Sequence, residues 1–226
     1  MIVIRNPKSG DCLDAGLTIN PTRLEIAEGT REVTDSTQTS FGFVVSGRAE
    51  VRTPRLDLMA PAGTYFCVPG EFKLNARGLV VLICRYGYRG LLAAGCLENV
   101  GRLSYIDGCS STILVSPPRM GDPVFNHLHI PQSVAQSPHT HPSIRLGIVA
   151  RGGGIARGRT EVNAGEWAES LTAGCVFLLH AQEVHSFHTT ESPSGMDVLT
   201  YHPDSDWGPT DGEHPMLTKT HLCRKS

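Results

Sequence analysis

The chain has 226 residues and a formal net charge of −2. That length suits one large β domain or two small ones and buries a core without disulfide staples. The near-neutral balance argues against nucleic acid or an anionic membrane surface as the main partner, and no run of about 18 apolar residues is present to span a bilayer.

The first stretch, MIVIRNPKSGDCLD, does not read as a signal peptide. Pro7, Lys8, Gly10 and Asp11 interrupt any apolar segment, so the expected location is the cytoplasm. Further on, short apolar runs are bounded by Gly and Pro: FGFVVSGRAEV, TYFCVPG, LVVLICRY, TILVSP, IRLGIVARG, CVFLLH and MDVLTYH. Their length and turn residues predict strands. Only Gly90 to Tyr105, GLLAAGCLENVGRLSY, carries a weak helical period. It is expected to be a helix, or a helical turn and loop, joining two halves. The expectation is an all-β protein of sandwich or barrel type. Cys67, Cys84 and Cys175 lie inside apolar runs and read as small buried hydrophobes. Cys109, in a turn, is assigned no chemistry either.

The halves look related. The run Phe41 to Gly47 lines up with Leu146 to Gly152, and Ala62-Gly63 with Ala173-Gly174, in the same order. Such repeated landmarks suggest an internal duplication, with domains at 1–112 and 113–226.

The second half carries the chemistry. In PHTHP, His139 and His141 stand one residue apart, and residues i and i+2 of a strand share a face. The flanking prolines favour extended backbone. A mononuclear catalytic metal commonly takes three protein ligands and keeps a position open. The stretch GCVFLLHAQEVHSFH offers His180, His185 and His188 for the third.

Here the chain resembles the cupin superfamily. Its first motif is HxH, then Glu after three or four residues, then Gly six residues on. The counterparts are His139, His141, Arg145 and Gly152, with every spacing kept and only the Glu replaced. The second motif is matched by Gly174, His185 and the intervening spacing. His180, Gln182 and Thr189 stand where Pro, Gly and Asn are usual. The resemblance implies two double-stranded β-helix (jelly-roll) barrels, a bicupin. It implies His139, His141 and His185 as ligands of one divalent transition metal, Fe(II) favoured, with Zn or Mn as options. His180 falls at a turn and His188 outside the ligand set. The first half places Thr34 and Ser36 at the HxH positions, Ser40 at that of Arg145, and Leu74 near the third histidine. It is expected to bind no metal and to serve packing. Bicupins are often homodimers, and the resemblance implies the same here.

Arg145 cannot ligate a metal, because a guanidinium has no lone pair to offer. If it faces the barrel, it suits a small anionic organic substrate held between metal and arginine. If it faces outward, it pairs with solvent or with a local acid such as Glu161 or Glu166. His127 and His129 in FNHLHIP share a face with Phe125, opposite Leu128 and Ile130. If the Phe125 face turns inward, the two imidazoles become candidate catalytic acid/base groups. Tyr201, ending the last strand, is a candidate substrate contact. The tail beyond it, with Trp207, is expected to be an ordered loop that packs between subunits or covers the barrel mouth. Three activities are consistent with this reading: a non-haem Fe(II) dioxygenase, a non-redox Zn isomerase or lyase, and a binding cupin without turnover.

Overall fold

The computed structural model describes residues 1–159 and 165–204. The acid Glu161 and the tail with Trp207 lie outside the described residues. Among the described residues the regular structure is strand, apart from one short 3-10 turn. In chain order the strands begin with β1 (Ile2–Ile4), β2 (Cys12–Asp14), β3 (Thr22–Val33), β4 (Thr39–Val44), β5 (Arg48–Arg52), β6 (Asp57–Pro61), β7 (Thr64–Pro69), β8 (Phe72–Arg85) and β9 (Ala93–Cys96). There follow β10 (Leu103–Ser104), a 3-10 turn (Ile106–Gly108), β11 (Ser110–Val115), β12 (Val124–Ile130), β13 (Arg145–Arg159), β14 (Glu166–Thr172), β15 (Val176–Leu179), β16 (Val184–His188) and β17 (Met196–His202). No helix among the described residues is long and apolar enough to cross a membrane.

Strands β2 to β9 form one sheet, and β10 to β17 form the other with β1 added at its edge. Residues Ile2 to Ile4 pair with Leu178 to Val176, so the first strand of the chain completes the second sheet. The main chain passes between sheets after Cys96, and β11 lies across position 112.

Three apolar clusters hold this arrangement. One fills the curve of the first sheet, around Phe66, Phe72, Leu74 and Leu82. Another fills the second, around Ile130, Phe177, Phe187 and Val198. The third is a shared layer in which Phe41, Phe43 and Ile83 of the first sheet meet Phe125, Ile148 and Tyr201 of the second. Phe41 packs edge-on to Tyr201 at 5.1 Å and to Phe125 at 6.0 Å between ring centroids. Each such ring contributes roughly 1.5–3 kcal/mol by leaving water. The second sheet is therefore buried on both faces.

A small device recurs. Gly42 lies opposite Phe66 and Gly147 opposite Phe177 in the ladders. A Cβ at Gly42 would sit 2.1 Å from the Phe66 ring, and one at Gly147 would sit 2.0 Å from the Phe177 ring. Each ring lies over a glycine in the neighbouring strand, which a larger residue would displace. The turns after these strands also match: Gly63 N donates to Val44 O at 2.9 Å, and Gly174 N to Val149 O at 2.8 Å.

Of the helix, or helical turn and loop, expected over 90–105, no helical part forms within those residues, and a 3-10 turn follows at Ile106–Gly108. Ala93 to Cys96 instead pair with the edge of β7, and Gly95 lies under the Tyr65 ring. Gly101 lies so close to the Ser111 backbone that a Cβ would meet it at 2.3 Å. Glycines needed for close approach weaken a helix, and the sheet edge takes the segment.

Candidate metal centre

The PHTHP segment is extended but belongs to no strand of the sheets. It runs beside β16, joined to it by two isolated bridges, Ala135 with His188 and His139 with His185. His139 N donates to His185 O at 3.0 Å, and His185 N to His139 O at 2.9 Å. Thr189, at the position where cupins usually carry Asn, fastens the start of this segment. Its hydroxyl donates to Pro131 O at 2.5 Å and accepts from Val134 N at 3.1 Å. The turn before β16 keeps the geometry of the missing glycine, since Gln182 has φ +60°. Gln182 N donates to His141 O at 2.8 Å, so this turn holds the second histidine as well.

These contacts bring His139, His141 and His185 together. Their ring centroids are 5.0 Å (His139 to His141), 4.5 Å (His139 to His185) and 5.0 Å (His141 to His185) apart. One ring nitrogen from each lies within 4.8 Å of the others. His139 Nδ1 donates to Ser137 O at 2.9 Å, and His185 Nδ1 to Glu183 O at 2.9 Å. A donating Nδ1 fixes the tautomer and leaves Nε2 with its lone pair. Burial, then the Arg145 charge, then the neighbouring imidazoles push His141 down to about 2. Burial pulls His185 down to about 4, against the Glu183 carbonyl, which acts the other way. Both rings are neutral at pH 7, the state a metal ligand needs. Three imidazoles with one ring nitrogen each converging on one point fit a divalent transition metal. His180 is exposed at the turn, its amide held by Glu183, and His188 hydrogen-bonds Ser186 at 2.8 Å instead of joining the cluster.

Arg145 faces inward. It opens β13 and lines, with the three histidines, a cavity of about 400 Å³. Only 2 % of its surface is exposed. Its Nη1 donates to Ser143 O, Ser143 Oγ and Ile144 O at 2.9, 3.0 and 2.9 Å, which aims the guanidinium.

His127 and His129 do not reach this cavity. On β12 it is Val124, Asn126 and Leu128 that line it, so the alternate residues Phe125, His127 and His129 face the other way. Both imidazoles meet Asp197 Oδ1 at 2.8 Å, and Arg151 Nε meets Oδ2 at 2.8 Å. Arg151 also reaches Asn99 and the Glu98 carbonyl, so the cluster ties β12, β13 and β17 to the connector between the sheets. The arginine balances the carboxylate charge, while His127 Nδ1 is buried with no hydrogen-bond partner among the described residues.

Tyr201 is likewise on the far face of β17. It is fully buried in the shared layer, its hydroxyl 3.4 Å from Thr22 Oγ1. Strand alternation brings its neighbours Thr200 and His202 to the cavity instead. His202 Nε2 pairs with Asn126 Oδ1 at 2.9 Å. Period-two alternation groups Asn126 with Val124 and Leu128, and His202 with Thr200, but the sequence does not say which face meets the cavity.

The first half has no such cluster. Ser40, at the position of Arg145, is buried and accepts from Gln38 Nε2 at 3.1 Å. Its hydroxyl lies 3.7 Å from Cys84 Sγ, and burial pushes that thiol up to about 11. Burial likewise raises Cys67 to about 12, as expected of thiols acting as hydrophobes.

Comparison with known proteins follows this geometry. The structure resembles a cupin 2 conserved barrel domain protein from Leptotrichia buccalis, with TM-score 0.63 and 14% identity over 89% of this chain and 95% of that one. The chain has the cupin fold. Salicylate 1,2-dioxygenase from Pseudoaminobacter salicylatoxidans, in complex with gentisate, superposes on 82% of this chain and 68% of its own, with TM-score 0.61 and 12% identity. Oxalate decarboxylase from Bacillus subtilis, described with Mn(II) centres, matches 89% of this chain and 75% of its own, with TM-score 0.59 and 10% identity. Residues 125–215 match the family of AraC-like ligand binding domains. No curated relative matches the sequence.

Proposed function

We propose that this cupin is a metal-dependent enzyme of the non-haem Fe(II) dioxygenase type, acting on a small anionic organic substrate. The observation that carries the reading is Arg145 lining the same cavity as three convergent histidines. His139, His141 and His185 would hold the ion. When bound, Fe(II) supplies a Lewis-acidic, redox-active centre with open positions for O₂ and substrate. With no protein carboxylate in the ligand set, the ion keeps its double charge and favours an anion. Arg145 binds the negative end of the substrate and orients it. Asn126 and His202 form the polar side wall, and the apolar residues opposite restrict water. The first half is read as a second barrel without metal that packs against the catalytic one. The paired Gly–Phe contacts support that reading.

Metal analysis of anaerobically purified protein, followed by O₂ uptake with candidate acids, tests the proposal. Bound iron with substrate-dependent uptake is expected, and both are lost in His139→Ala. Stoichiometric zinc without uptake would overturn it. The match to AraC-like ligand binding domains favours a second reading, in which the same cavity binds a small ligand without turnover. Tight ligand binding with no product in the iron-loaded protein would select it.

A further inference from the structure

We propose that the cavity takes an amphipathic monocarboxylate, with its charge at the Arg145 end and a carbon-rich body laid against the connector between the two sheets. The proposal rests on the reading of this cavity as an anion site and narrows what that site accepts.

Charge sets one end. Arg145 is the fixed cation among the described residues that line the cavity, and none of those residues is Asp or Glu. The lining also speaks against a densely polar ligand. Asn126 is engaged on both sides, its Oδ1 with His202 Nε2 at 2.9 Å and its Nδ2 with Ser111 Oγ at 3.2 Å. These polar groups satisfy one another.

Much of the remaining lining is apolar. Leu128, Leu179 and Phe187 form the deeper wall. At the mouth, Leu103 is 56 %, Ile113 41 % and Tyr105 37 % exposed. Apolar side chains gathered at the rim of a concave site mark where a ligand's apolar part leaves water. The volume, about 400 Å³, far exceeds what a two-carbon dianion fills.

The wall is also fixed relative to the histidines. Asp107, just after Tyr105, accepts from Ser137 N at 2.6 Å and Ser137 Oγ at 3.1 Å. Ser137 O in turn accepts from His139 Nδ1. One chain of hydrogen bonds therefore sets the spacing between the apolar wall and the charged end.

The test is calorimetric titration of the full-length, metal-analysed protein. The probes are straight-chain carboxylates from acetate to hexanoate, with oxalate and a neutral pentose for comparison. Affinity is expected to rise about fourfold per methylene, the ratio that corresponds to ~0.8 kcal/mol per buried methylene. The double variant Leu103→Ser, Ile113→Ser should flatten this slope and leave acetate within about twofold. Both positions are exposed, so the fold tolerates the change. Arg145→Leu should weaken the whole series at least tenfold and leave the slope. Oxalate or the pentose binding as tightly as hexanoate, or a flat slope in the unmodified protein, would overturn the proposal. Protein that holds no metal, yet keeps the slope, would refute the metal reading alone and support this one.

Discussion

Asp197→Asn is the substitution that best separates a structural from a catalytic role for His127 and His129. Asp197 is 7 % exposed and takes three hydrogen bonds at 2.8 Å, from His127, His129 and Arg151. A hydrogen bond to a charged group contributes about 1.5–3 kcal/mol. An asparagine keeps an acceptor for the imidazoles but loses the charge and turns a donor toward Arg151. The cost is therefore about 3 kcal/mol, within the range for breaking a buried pair. In a chain of this size that lowers Tm by roughly 6–12 °C. Urea denaturation gives the free energy directly. The pH dependence has a definite sign. Burial pushes the Asp197 carboxyl up, but the two imidazoles and Arg151 outweigh it and hold the group below its ordinary 3.8. Its contribution is fully present above that ordinary value and is lost as pH falls through the lowered one. Asp197→Asn should thus be much less stable than the parent at pH 6, and the gap should narrow as the pH falls below 3.8. A variant as stable as the parent, with turnover abolished, would refute the reasoning and return the pair to catalysis.

Asp107→Ala should weaken metal binding about tenfold with little loss of stability, because Ser137 would no longer hold the His139 ring; competition with a chromophoric chelator measures it. Gln182→Gly should raise stability by up to about 1 kcal/mol, since φ +60° is strained for a residue with a Cβ. A lower Tm would mean the Gln182 side chain makes a contact that outweighs the strain. Gly42→Ala and Gly147→Ala should each cost about 1–3 kcal/mol, because the new methyl overlaps the Phe66 or Phe177 ring. Equal effects in denaturation curves would support one device used in both halves.

Much of the site was legible along the chain. His139, His141 and His185 keep the cupin spacing, and a spacing survives as long as the backbone path does. Gln182 shows the same principle: the glycine is gone, but its left-handed backbone remains. The strands themselves follow from short apolar runs between turn residues. The segment 90–105 misled because its Ala and Leu residues suit a helix locally, while an edge of β7 was available to pair with it.

Alternation along β12 and β17 was equally plain in the sequence, but the choice of face was not. Period two divides FNHLHIP into Phe125, His127 and His129 on one side and Asn126, Leu128 and Ile130 on the other. In a sheet with one wet face, the apolar side marks the core. This sheet is buried on both faces, against its own interior and against the first sheet, so each side carries apolar residues. Only the packing of one sheet on the other sends His127, His129 and Tyr201 to the shared layer, and leaves Asn126, Thr200 and His202 beside Arg145 and the three histidines.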